Sequence, residues 1–217
     1  MRLRQVEAEA AEQQEILAMG SPDTFSIDRL EIAPLPNASD EQSPTLFPSI
    51  AFQTLLSYPI LTELRFQHWS LPPIDEFLAE QSTASHPQPL SMEKLRLPVD
   101  NTLYPGIMVS TLEAITRYYP RLIDFECLIQ TISSSQVAHL NDPPQIFSRG
   151  LEFLSVGGIL PSSLDDKISM ASHLCLLFPK LKKIRTHDGY DADGWRVVQS
   201  LVRMHQNLRT VEEGVRR

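Results

Sequence analysis

The chain has 217 residues, 42% of them hydrophobic and 21% charged, with a formal net charge of −8, a composition that excludes disorder of the whole chain. Its longest unbroken apolar run is five residues, Leu174 to Phe178, against the ~20 that a bilayer span needs. Residues 1–179 carry 10 basic and 22 acidic groups and residues 180–217 carry 9 and 5, so nucleic acid is a poor general partner for most of the surface.

In chain order, residues 1–19 have a helical composition of Glu, Gln and Ala and end at Gly20; they are expected to be a lead-in to a domain spanning 21–217. They lack the apolar stretch of a signal peptide. A hexad with apolar first, fourth and sixth positions follows at 27–32, and then a helical pattern at 48–57. Further hexads lie at 61–66, 92–97, 122–127, 151–156, 181–186 and 208–213, with helices expected at 107–118, 165–177 and 193–205 and a short one at 74–80. The fourth hexad residues are Leu30, Leu64, Leu95, Phe125, Leu154, Ile184 and Val211, separated by 34, 31, 30, 29, 30 and 27 residues. Even spacing over this length predicts a repeat architecture of about seven units.

Three of the expected helices run into the same junction: Tyr58-Pro59-Ile60-Leu61, Tyr119-Pro120-Arg121-Leu122 and Phe178-Pro179-Lys180-Leu181. Proline stops a helix and favours an extended residue before it, so each junction predicts a direct turn into a strand. Long helices should precede every second strand from Leu61 on. Irregular Pro- or Ser-rich connections at 37–46, 82–90 and 133–148 fill the alternate places.

The LxxLxL strands, the helices ending in aromatic-Pro-x-Leu and the Pro-rich returns resemble the leucine-rich-repeat region of F-box proteins, above all the divergent ones of basidiomycete fungi. LCLLFPKLKKIR followed by GWRVVQSLVRMHQNLRTV is most similar to the C-terminal end of that region. The resemblance implies an α/β, leucine-rich-repeat-like right-handed solenoid, with parallel strands on its concave face and helices on its convex face. It also implies the substrate-recognition half of a ubiquitin-ligase adaptor. No F-box with an LPxELL-like start is visible, so a Skp1-type partner is not expected of these residues. Trp69, Asp100, Gln130, Ile159 and Gly189 stand where many leucine-rich repeats have asparagine.

Strand side chains alternate, so the third and fifth residues of each hexad should form two ladders on the concave sheet. One reads Arg29, Glu63, Lys94, Asp124, Phe153, Lys183, Thr210 and the other Glu31, Arg65, Arg96, Glu126, Ser155, Arg185, Glu212. In the first four rungs of the first ladder the charges alternate in sign, which predicts mutual pairing there. At the fifth repeat Phe153, Ser155, Gly157 and Gly158 predict an exposed aromatic beside bare backbone, next to Lys183, Arg185 and His187. Arg65, Arg96, Phe153, Lys183, Arg185 and His187 are therefore the candidate partner-binding residues, suited to an acidic or phosphorylated peptide.

Enzyme chemistry has no positive signal. The His187-to-Gly194 segment lacks the first and twelfth ligands of an EF-hand, and is read instead as a loop with Asp193 capping a helix. The histidines form no HExxH or paired metal motif. Cys127 and Cys175 are read as small core residues in a reducing compartment, cytoplasmic or nuclear, and Trp69 and Trp195 as packing anchors. No cofactor or metal is expected. The rival reading is a structural or orphan repeat fragment without its own partner, which an exposed apolar strip beside Leu208 and Val211 would favour.

Overall fold

A computed structural model of the chain describes residues 28–33, 46–67, 69–75, 77–78, 90–100, 104, 106–130, 150–187 and 189–215. The lead-in expected at 1–20 and most of the Pro- and Ser-rich connections lie outside the described residues. Within them the order is β1 (Arg29–Ile32), α1 (Ser49–Leu56), β2 (Glu63–Phe66), β3 (Lys94–Arg96), α2 (Thr111–Tyr118), β4 (Asp124–Leu128), β5 (Phe153–Gly157), α3 (Leu164–Leu177), β6 (Lys183–Thr186) and α4 (Ala192–Val215). A further helical turn occupies Ile74, Asp75, Phe77 and Leu78, where the short helix was expected.

The six strands form one sheet in sequential order, every neighbouring pair parallel. The register is the one the hexads predict: Leu30, Leu64, Leu95, Phe125, Leu154 and Ile184 face one another across successive strands. From Leu64 to Ile184 this row is at most 4% exposed. Leu61, Met92, Leu122, Leu151 and Leu181 make a second buried row, and Phe66, Leu97, Cys127 and Val156 a third. Only this side of the sheet is apolar. Both faces of a doubly wound sheet would be greasy; here the buried residues of the described helices join one core with the single apolar face.

One bonding device recurs at every strand entry. The carbonyl of Asp28 accepts from the amides of Thr62 and Glu63 (2.7 and 3.0 Å), and that of Thr62 from Glu93 and Lys94 (2.7 and 2.9 Å). The Glu93, Ile123 and Glu152 carbonyls each take two consecutive amides in the same way, at 2.7–3.2 Å. Six consecutive repeats are thus joined at five places by the same pair of bonds, which is why the hexad spacing is so even.

The three aromatic-Pro junctions also share a geometry. The amides of Leu61, Leu122 and Leu181 donate to the carbonyls of Tyr58, Tyr119 and Phe178 at 3.3, 3.0 and 3.0 Å, a four-residue turn with proline at its second position. The Tyr119 hydroxyl donates to the carbonyl of Leu56 (3.2 Å), satisfying an orphan acceptor at the last residue of α1 and tying one junction to the helix two repeats back.

Two expectations are corrected. The hexad at 208–213 is not a seventh strand, because α4 runs unbroken through it and leaves Leu208 and Val211 exposed; Thr210 and Glu212 therefore do not extend the ladders. The cap of α4 is Asp191 rather than Asp193. The Asp191 carboxylate accepts from the Gly194 amide (2.9 Å) and its carbonyl from Trp195 (3.1 Å), whereas Asp193 pairs with Arg196 (2.6 Å).

Instead of adding a strand, α4 closes the sheet. Trp195 is fully buried and its indole N–H donates to the Gly158 carbonyl (3.1 Å), with Val198 and Val202 packed along the same helix side. The Gln206 amide donates to the Leu181 carbonyl (2.8 Å). Gln199, its amide oriented as its neighbours favour, donates to Ile184 (2.8 Å) and accepts from Arg203 (2.9 Å). Seven helical residues rise about 10.5 Å and three strand residues about 10 Å, so the two glutamines meet one acceptor within β6 and one just before it in step.

Candidate binding face of the sheet

The side of the sheet away from the core carries the two predicted ladders, with Arg29, Glu63, Lys94, Asp124, Phe153 and Lys183 in one row and Glu31, Arg65, Arg96, Glu126, Ser155 and Arg185 in the other. Six of these groups are basic and four acidic, on a chain whose formal net charge is −8. The face is locally basic on an acidic molecule.

Every carboxylate of the face has at least one basic side chain within 4.0 Å. Glu63 lies 3.8 Å from Arg29 and 3.4 Å from Lys94, and Glu31 lies 3.6 Å from Arg65. The Gln67 side-chain amide also donates to Glu31. Asp124, the most enclosed carboxylate of the face, has Arg96 Nη2 at 3.4 Å and Arg185 Nη1 at 3.8 Å. Glu126 has Arg96 Nε at 3.9 Å and His187 Nε2 at 3.6 Å. At this degree of exposure each such pair contributes well under about 1 kcal/mol, and their effect is to fix side-chain positions.

Arg185 also stacks on Phe153, with Cζ 4.9 Å from the ring centroid. Phe153 is consequently half-buried, not a free aromatic. Lys183 is exposed, and among the described residues no carboxylate lies within 4.0 Å of it.

The bare backbone expected at the fifth repeat is corrected as well. Ser155 is 3% exposed, and Gly157 and Gly158 are buried. A Cβ on Gly157 would come within 3.0 Å of the Tyr190 ring, and the Tyr190 hydroxyl donates to the Val99 carbonyl. Tyr190 therefore straps the C-terminal edge of the face from beyond β6 to the end of β3.

Of the six candidate residues, Arg96, Phe153, Arg185 and His187 come together around Asp124 and Glu126, with Lys183 beside them. Arg65 stands on β2, three strands from β5, about 14 Å at the usual strand spacing. Sequence reasoning placed Asp124 and Glu126 on the ladders but not among the candidates; the signal for Asp124 was the sign alternation of its row, which the row of Glu126 lacks. Tyr190 had no periodic signal, since it lies in a loop.

Other chemistry is sparse. Burial pushes the Cys127 thiol far up, with the neighbouring Glu126 charge adding to it, and burial pushes Cys175 up to about 11; neither is primed as a nucleophile. Among the described residues no group of three His, Cys, Asp or Glu is placed to hold a metal ion, and no helix is long and apolar enough to cross a membrane. An open cleft of about 390 Å³, lined by Glu93, Arg121, Ile123, Gly150, Glu152 and Lys180, lies at the strand-entry rim rather than on the charged face. No family model, no curated protein and no solved structure matches this chain.

Proposed function

We propose that this chain is a protein-interaction module, a right-handed leucine-rich-repeat-like array that receives an acidic segment of another protein on the charged face of its sheet. The handedness follows from the general rule for crossovers between parallel strands, and the small rotation per repeat of a solenoid, with helices bulkier than strands, would make that face concave. The observation that carries the reading is the locally basic face, with Lys183 unpaired among the described residues and Arg185 fixed on Phe153, on a chain that is otherwise acidic. Strands that hold these groups in advance limit the ordering entropy of binding. The resemblance to F-box leucine-rich-repeat proteins supports a substrate-recognition role in the cytoplasm or nucleus, without a Skp1-type contact by these residues.

The test is selection of two peptide libraries, one randomised with aspartate and glutamate and one with phosphoserine, on the full chain and on Lys183→Glu/Arg185→Glu. An acidic consensus that binds the double variant at least about tenfold more weakly, a loss of about 1.4 kcal/mol, supports the reading. A neutral consensus, or equal binding to both proteins, removes it.

A second reading, a structural element that packs on another surface, is favoured by Met204, Leu208 and Val211, which are 49, 56 and 64% exposed on α4. Sedimentation of the wild type and Leu208→Gln/Val211→Gln decides it for self-association: identical monomers in both would set that reading aside.

A further inference from the structure

We infer that the anion taken by this face is a doubly charged phosphoryl group of a phosphorylated segment, bound between Lys183 and Arg185, and that Asp124 is the built-in competitor that excludes single carboxylates. The inference rests on the reading that the face binds an acidic polypeptide, and names the group it recognises.

Lys183 and Arg185 are two residues apart on β6 and point to the same face, so both long side chains can converge on one group. Arg185 is held by stacking on Phe153, which leaves the edge of its guanidinium fork free to donate. Its contact with Asp124, at 3.8 Å, is beyond hydrogen-bond length, whereas Arg96 approaches the same carboxylate oxygen at 3.4 Å. Arg185 is thus the releasable partner, because Asp124 keeps Arg96 when Arg185 turns away.

That arrangement sets a threshold. A ligand carboxylate that replaces Asp124 at Arg185 exchanges one single charge for another and gains little. A phosphoryl group brings nearly twice the charge and three acceptor oxygens, enough to take the Arg185 fork and the Lys183 ammonium together. A phosphorylated polypeptide fits better than a lipid headgroup. The site lies on the floor of a face strapped along one edge by Tyr190, and a chain of net charge −8 is repelled by an anionic bilayer.

The experiment follows the side-chain signals of Lys183 and Arg185 by NMR in the full chain, at pH 8 and fixed ionic strength, during titration with inorganic phosphate and separately with acetate. Phosphate should move both signals and acetate neither. Lys183→Gln should weaken phosphate binding by about tenfold, as expected for a charged hydrogen bond, and Asp124→Asn should tighten it and admit acetate. Should Asp124→Asn fail to fold, Arg185→Lys replaces it: it keeps the charge but loses the fork, and should weaken phosphate binding. A phosphoserine peptide library should then bind more tightly than its aspartate counterpart. Equal response to phosphate and acetate, or phosphate binding unaltered in these variants, overturns the inference. Aspartate peptides that bind through Lys183 and Arg185 as well as phosphoserine ones do the same, yet leave the acidic-segment reading standing. Failure of both libraries removes the two together, and capture only by phosphoinositide vesicles assigns the site to a membrane surface instead.

Discussion

At the residue scale the decisive feature is how few side chains are free to change. Gly158 has φ +131° and a Cβ there would collide with the Ile129 carbonyl, while its own carbonyl receives the Trp195 indole. Gly158→Ala should destabilise the fold by about 2–4 kcal/mol through backbone strain and loss of that anchor, read as a lower denaturation midpoint at unchanged m-value; a change under about 0.5 kcal/mol would show that the turn relaxes freely. The pair Gly157-Gly158 is legible in the sequence only as two small residues. Their reason, Tyr190 on one and Ile129 against the other, lies 33 and 29 residues away and leaves no local trace. Asp124 shows the converse: its place on the ladder was legible, but its enclosure by two arginines depends on side-chain reach across three strands.

At the element scale, periodicity located the strands because LxxLxL must bury alternate residues on one face. The aromatic-Pro-x-Leu junctions marked helix ends because proline forbids their continuation. The same logic failed at 208–213, where Leu208 and Val211 are separated by three residues, a spacing that a helix and a hexad share. What decided the outcome was the continuity of α4, which buries Trp195, Val198 and Val202 on one side and carries Met204, Leu208 and Val211 on its exposed side. The glutamines of α4 then do what a further strand would have done, occupying the Ile184 carbonyl of β6 and that of Leu181 just before it. Gln199→Ala/Gln206→Ala should cost about 1 kcal/mol per lost bond and speed amide exchange in β6 ahead of β2 to β5. Uniform exchange across the sheet would mean that the glutamines do not guard the edge.

At the scale of the whole molecule the core is a line of rows, not a sphere, and its polar passengers set its response to pH. Burial raises the Tyr104 and Tyr119 phenols well above their ordinary value of 10.0 and the Cys127 thiol well above 9.0. Each group keeps its proton in the fold where the unfolded chain has released it. Their contribution is therefore complete below about pH 9 and is lost as pH rises, by up to about 1.4 kcal/mol per pH unit for each group. Thermal midpoints should fall steadily above about pH 9–10, the ordinary range in which these groups titrate; a midpoint constant through pH 11 would contradict the burial of these groups.

The positions and register of the six strands and the charged face were legible because one local rule is applied over and over along the chain, whereas the expected repeat number was one too high because the 208–213 hexad is helical. The terminal cap and the Tyr190 strap were not, because each is a single long-range contact. The claim on which both the face and its chemistry depend is that short parallel strands share one register. Residue-resolved amide hydrogen exchange tests it most directly. The account predicts protected consecutive pairs at 62–63, 93–94, 123–124, 152–153 and 182–183, each pair bonded to one carbonyl of the preceding repeat, with helical protection running through 195–208. Unprotected pairs at these positions, or a strand-like pattern at 208–213, would contradict it.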